Sequence, residues 1–271
     1  MGDFSILGGG QRFESLGTSN ALGTAIAYSG STNTKNAAWT QLVAATSFDA
    51  SGFIVDAVLQ NDGRQSLVDI AIGAAASEQI IIANLLVAPS RGYQYVQYYF
   101  PIPIPAGSRL AGKQQSNGTG SVYLSFNFIA RNMLPSSPLG LITTYGADLT
   151  DSGGTQIDPG GTADTEGAYS QITASATYPI KQLIMAIGQQ SNTTQTSQTQ
   201  MIDLAIGPAT ETPLISNLGY GVNTFSDVGS PIVYGPFDVD IPAATRLAVR
   251  SMCSINDATD RLFDVIIYGV S

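Results

Sequence analysis

Phe100-Pro-Ile-Pro-Ile-Pro-Ala-Gly-Ser-Arg109-Leu110-Ala111 returns later in the chain as Phe237-Asp-Val-Asp-Ile-Pro-Ala-Ala-Thr-Arg246-Leu247-Ala248. Phe100, Ile102 and Ile104 share one face of a period-two pattern, and Phe237, Val239 and Ile241 share the same face in the second copy. The alternate face carries prolines in one copy and Asp238 and Asp240 in the other. Proline cannot donate to a sheet ladder, and carboxylates deter strand pairing, so both stretches predict a strand at a sheet edge. A second motif keeps the same order: Val68-Asp69-Ile-Ala-Ile-Gly73 returns as Ile202-Asp203-Leu-Ala-Ile-Gly207.

The correspondence extends outward from these motifs. Gly23-Thr24 matches Gly154-Thr155, and Phe53-Ile54-Val55 matches Leu183-Ile184-Met185. The repeat is therefore a whole domain, far longer than one solenoid unit. Period-two stretches bounded by Gly, Asn and Ser turns predict strands near 40–46, 53–59, 67–72, 79–87, 93–99 and 121–130, and again in the second half. Residues 77–86 admit a helix by spacing, but their isoleucines favour a strand. The expected fold is all-β: two tandem β-sandwich domains of jelly-roll type from an internal duplication, preceded by an extended N-terminal arm.

The expected boundaries are an arm over 1–35, a first sandwich over 36–133, a Pro/Ser linker over 134–140, and an acidic loop with the second sandwich over 141–271. The arm is rich in Gly, Ser, Thr and Asn with little apolar pattern, which suits a segment that orders on a neighbouring subunit.

Charged residues are only 11% of the chain, against about 25% in ordinary soluble domains. Residues 1–135 hold seven basic and seven acidic side chains, and 136–271 hold four and thirteen, so the whole net charge of −9 lies in the second half. No basic stripe is present for a phosphate backbone, so nucleic acid is not an expected partner. An acidic half is also repelled by anionic membranes, and no apolar run approaches the roughly 20 residues of a spanning helix. The start lacks the charged and apolar regions of a secretory signal, so none is expected.

The chain has no histidine and a single cysteine, Cys253. Histidine-based triads, histidine-ligated metals and thiolate zinc sites are thereby excluded, and no P-loop spacing occurs. The expectation is no catalytic residues, no metal and no cofactor: a protein that is not an enzyme. Asp148-Leu-Thr-Asp151 lacks the alternating oxygen ligands of a calcium loop.

Two groups of residues stand out. Asp69 shares its strand face with Leu67 and Ala71, and Asp203 with Met201 and Ala205. A carboxylate among apolar neighbours needs a partner. Arg109 and Arg246 are the basic residues kept at matching positions, so structural ion pairs Asp69–Arg109 and Asp203–Arg246 are expected. The other group is Gly92-Tyr93-Gln-Tyr95-Val-Gln-Tyr98-Tyr99, whose counterpart is poorer in aromatics. Tyr93, Tyr95 and Tyr99 are candidates for a protein interface or for stacking on a glycan, with Tyr98 on the core face of Phe100.

The repeated unit resembles small β-sandwich proteins encoded among the virion genes of tailed bacteriophages. The likeness lies in Asp69–Gly73, the Ile80–Leu86 stretch, Phe100–Leu110, and Ser15-Leu-Gly-Thr18. It implies a virion component, assembled in the host cytoplasm and built as a symmetric oligomer with other virion proteins as partners. A tail, fibre or appendage subunit is the leading expectation. A head decoration protein and an adhesin for host surface glycans are the alternatives. The resemblance implies a trimer, as is common for jelly-roll appendages, and with two domains per chain a trimer would form a pseudo-sixfold ring.

Overall fold

The computed structural model describes residues 12–59, 65–87, 95–130, 140–189, 196–208, 210–222 and 232–271. The first copy forms β1 (Arg12–Leu16), β2 (Thr24–Ile26), β3 (Thr40–Val43), β4 (Gly52–Leu59), β5 (Ser66–Ile72), β6 (Gln79–Val87), β7 (Val96–Phe100), β8 (Leu110–Ser116) and β9 (Val122–Ala130). The second forms β10 (Ile142–Tyr145), β11 (Ala147–Asp148), β12 (Gly153–Ile157), β13 (Ser170–Thr173), β14 (Ile180–Gln189), β15 (Gln198–Ile206), β16 (Thr212–Val222), β17 (Ile232–Ile241), β18 (Leu247–Cys253) and β19 (Phe263–Val270). No helix occurs among the described residues.

Each copy is a sandwich of two antiparallel sheets. In the first, β1 and β2 both pair with β9, which continues through β4 to β7; the facing sheet runs β3-β8-β5-β6. In the second, β10 and β12 both pair with β19, which continues through β14 to β17; the facing sheet runs β13-β18-β15-β16. The chain crosses repeatedly between facing sheets, which is the jelly-roll arrangement. The fold is thus two tandem jelly rolls from one duplicated pattern, and β6 and β7 form one side edge of the first sandwich as β16 and β17 do of the second.

Register confirms the sequence alignment residue by residue. Phe53, Ile54 and Val55 face Phe128, Asn127 and Phe126, while Leu183, Ile184 and Met185 face Gly269, Tyr268 and Ile267. Gly23 and Gly154 also play one role. A Cβ at Gly23 would lie 2.5 Å from the Leu124 carbonyl oxygen, and one at Gly154 would lie 2.7 Å from that of Val265. Both positions let a short strand lie flat against the central strand beside it.

The Pro-rich motif sits where expected. Ile102 and Ile104 are buried while Pro103 and Pro105 are exposed. After Phe100 the first copy keeps only an isolated bridge between Ala50 and Ile104. The second copy, with aspartates in place of prolines, continues β17 to Ile241. The 77–86 stretch is strand β6, so its isoleucines outweigh the helical spacing.

The expected arm is corrected. Residues 12–16 and 24–26 hydrogen-bond to β9 of their own chain, so 12–35 belongs to the first sandwich. The apolar residues are few because these strands contribute one side chain at a time: Leu16 packs on the core and Ile26 is fully buried. The expected acidic loop likewise contains β10, β11 and β12. Residues 134–139 of the linker lie outside the described residues.

Candidate functional site

The duplicated Asp and Arg do not pair with each other. Arg109 Nη1 lies 3.0 Å from Glu78 Oε1 and donates to the Gly73 carbonyl, while its Nε donates to Gln41 Oε1. Arg246 repeats this with Glu211, the Gly207 carbonyl and Gln171. The expected Asp69–Arg109 and Asp203–Arg246 pairs are therefore replaced. Each arginine precedes the strand that pairs with β5 or β15. It sits beside the turn leaving that strand, four residues of register beyond the aspartate. The Arg246 hydrogen bond holds the Glu211 carboxyl below the usual carboxylate range.

The aspartates do a different job, also twice. Asp69 Oδ1 accepts from the Asn84 amide at 2.9 Å, and Asp203 Oδ1 accepts from the Asn217 amide at 2.9 Å. Both asparagines have positive φ, 55° and 60°, at a break in register between the last two strands of the sheet. The carboxylate satisfies the amide that the irregularity withdraws from the ladder. The cationic partner differs: Lys35 at 2.8 Å for Asp69, and two nitrogens of Arg250 for Asp203. Lys113, opposite Asp69, lies over the Trp39 ring instead, as Arg250 lies over Tyr169. Asp203→Ala is expected to cost about 2–3 kcal/mol, since it strips two charge-assisted bonds and orphans the Asn217 amide. Urea midpoints should fall further for it than for Asp69→Ala.

The tyrosines divide by strand alternation. Tyr98 is fully buried, Tyr95 is 44% exposed and Tyr99 is half-buried, so Tyr95, Gln97 and Tyr99 face outward. Tyr93 lies outside the described residues. Tyr123, Phe13 and Ile54 occupy the same outward face of the β1–β9–β4–β7 sheet, with Phe13 59% exposed. Asp56 on this face accepts from Gln97 and Asn127.

The corresponding face of the second copy is covered. Ile142, Ile184, Ala186, Ile266, Tyr268 and Val270 join the buried cluster of the first copy's core. Sequence reasoning missed this contact, although the signal is visible. Outward positions Ser125 and Asn127 of β9 correspond to Ile266 and Tyr268 of β19, and β19 is buried at every residue. A strand covered on both faces loses polar alternation.

Tyr268 enters the open side of the first sandwich at β6 and β7. Its ring lies 5.9 Å from Tyr98 and 5.8 Å from Phe100, near perpendicular to both. Its hydroxyl accepts from the Leu86 amide at 2.8 Å and donates to the Asn84 carbonyl at 3.1 Å. Tyr98 donates to the Leu86 carbonyl at 2.5 Å. Burial pushes both phenols well above their ordinary range, which keeps them neutral. At the rim Thr144 donates to Ala83, Gln115 to Leu149, and Ser152 to Asn33.

On the same strand and the same face as Tyr268, four residues earlier, lies Asp264, fully buried. Its Oδ2 accepts from Gln65 Nε2 at 2.6 Å and from the Gly154 amide at 3.1 Å, while Oδ1 has no hydrogen-bond partner. Burial above all, with Asp151 and Asp148 nearby, raises its pKa to about 7. Among the described residues no group of three His, Cys, Asp or Glu side chains is placed to hold a metal. A cleft of about 710 Å3 opens at the end of the second copy, lined by Ile206, Pro208, Pro242, Thr245 and Arg246.

No protein-family model matches the chain, and no curated protein matches it. Among solved structures it is similar to the CBM22-1-CBM22-2 tandem domain of Paenibacillus barcinonensis Xyn10C. That likeness has 12% identity and a TM-score of 0.24 over 97% of this chain and 92% of that one. It is also similar to a chain of the T13 IBDV viral particle, with 10% identity and a TM-score of 0.25 over 84% of this chain. A chain of the infectious bursal disease virus Gx strain gives 11% identity and a TM-score of 0.26 over 84% of this chain. The match spans 56% and 60% of those two viral chains. At such TM-scores superposition is poor, and the strand order, not these likenesses, defines the fold.

Proposed function

We propose that this chain is a non-enzymatic structural subunit of a bacteriophage virion: a tail, fibre or appendage component that assembles through its sandwiches. One observation carries the reading. Two copies of one fold are locked together by a buried contact, while the counterparts of both contacting surfaces stay exposed. The duplicated polar residues hold turns and strand irregularities together, which suits a scaffold. Low overall charge suits surfaces that meet other subunits.

Virions purified from an infected culture and labelled with antibody to this chain test the proposal by electron microscopy. Label on the tail or an appendage is expected. Label over the head would move the chain to the decoration class, and unlabelled particles would overturn the virion assignment.

The outward Tyr95 and Tyr99 favour a second reading, a glycan-binding adhesin, because exposed aromatic rings can stack on sugars. The double variant Tyr95→Ala, Tyr99→Ala separates the two. Loss of self-association with host-cell binding intact is expected; loss of cell binding alone would favour the adhesin.

A further inference from the structure

We propose that the open β16–β17 edge of the second copy docks on the outward β1–β9–β4–β7 face of the first copy in a second molecule of this chain, so that chains associate head to tail in a closed ring. The inference deepens the assembling role proposed above.

Within one chain, the edge of the first copy meets the sheet face of the second. Such a contact joins two different surfaces, so each chain retains one unused counterpart of each. The unused edge is β16–β17, and the unused face is that of β1, β9, β4 and β7.

The unused edge is built like the used one. Tyr234 donates to the Gly219 carbonyl as Tyr98 donates to that of Leu86. Register equates Met201 and Gly219 with Leu67 and Leu86. Leu67 and Leu86 are fully buried, whereas Met201 is 44% exposed and Leu214 is 37% exposed. A Cβ added at Gly219 would meet nothing within 4 Å. The two edge strands also differ in protection. β17 carries Asp238 and Asp240, which deter pairing, but β16 runs for 11 residues without a charged side chain. A long uncharged edge strand left open invites association.

The unused face suits the role. Phe13, Ile54, Tyr95, Tyr99 and Tyr123 lie on it, and aromatic residues are enriched at protein interfaces. It is more polar than the used face: Asp56, Ser125 and Asn127 stand where the second copy has Ala186, Ile266 and Tyr268, so the contact between chains lacks the tyrosine plug and is the looser of the two. Three chains would place six sandwiches around the ring.

Two charge-introducing variants test this by native mass spectrometry. Gly219→Arg blocks the edge at an exposed position with ordinary φ, and Ser125→Glu blocks the face at the counterpart of Ile266. Circular dichroism and thermal melting check that each keeps the native fold, and Met201→Glu serves as a second edge variant. The wild-type chain is expected to form trimers at concentrations of tens of micromolar, and each variant alone to be monomeric. An equimolar mixture of Gly219→Arg and Ser125→Glu should form a heterodimer and nothing larger, because one good edge and one good face remain. A monomeric wild type, assembly retained by Ser125→Glu, or a mixture with no heterodimer would each overturn the proposal. Virion labelling is independent of these results, so the ring can fail while the virion assignment stands.

Discussion

Tyr268→Ala is expected to destabilise the chain by about 3–5 kcal/mol, the range for removing a large buried aromatic side chain. The ring fills the space between β6 and β7, and its loss exposes Tyr98 and Phe100 to a cavity. Tyr268→Phe isolates the hydroxyl. It keeps the packing but leaves the Leu86 amide and the Asn84 carbonyl without their shared partner, at about 1–3 kcal/mol. Urea unfolding followed by fluorescence of Trp39, which lies in the first copy, reads the coupling directly. A residue of the second copy should lower the stability reported from the first. An unchanged midpoint for Tyr268→Ala would mean that the two sandwiches do not dock.

Asp264 should make stability fall as pH rises. The buried carboxyl keeps its proton up to about pH 7, whereas the unfolded chain loses it near 3.8. Between these values the folded state binds more protons, so its advantage is complete below about pH 4 and is lost as pH rises through 7. The interval corresponds to about 4 kcal/mol as an order of magnitude. Asp158 acts in the opposite sense: its hydrogen bond to Arg261 holds its carboxyl low, so its contribution is lost only in more acidic solution. Asp264→Asn should flatten the dependence from pH 4 to 7 and stabilise the protein at pH 8. Urea midpoints at pH 5 and pH 8 for both proteins check this. A wild type no less stable at pH 8 than at pH 5 would remove the buried acid from the account.

Much of the fold was legible in the sequence because the duplication supplied an internal comparison. The Pro-rich and Asp-rich versions of one motif both implied an edge strand, and β7 and β17 are edges. Tyr98 was separable from Tyr95 and Tyr99 by alternation alone. The ion pairs were misread because like positions were paired with like positions. Register instead sets Asp69 opposite Lys113 and Asp203 opposite Arg250, and places the arginines at turns bearing Glu78 and Glu211. Those glutamates recur at nearly the same spacing after Gly73 and Gly207, so the correct partner was present in the repeat. The arm was misread because β1 and β2 are short and bury few side chains. The contact between the copies was the largest omission. It was encoded in the difference between β9 and β19, where polar outward positions became apolar, rather than in anything the copies share.

Hydrogen exchange at Leu86 and Gly219 tests the central claim, that one edge has two environments, most directly. The two amides occupy equivalent positions on β6 and β16. In dilute, monomeric protein the account predicts Leu86 to exchange on the order of 100-fold more slowly than Gly219, since only Leu86 is buried and bonded to Tyr268. Equal exchange at the two sites would contradict it.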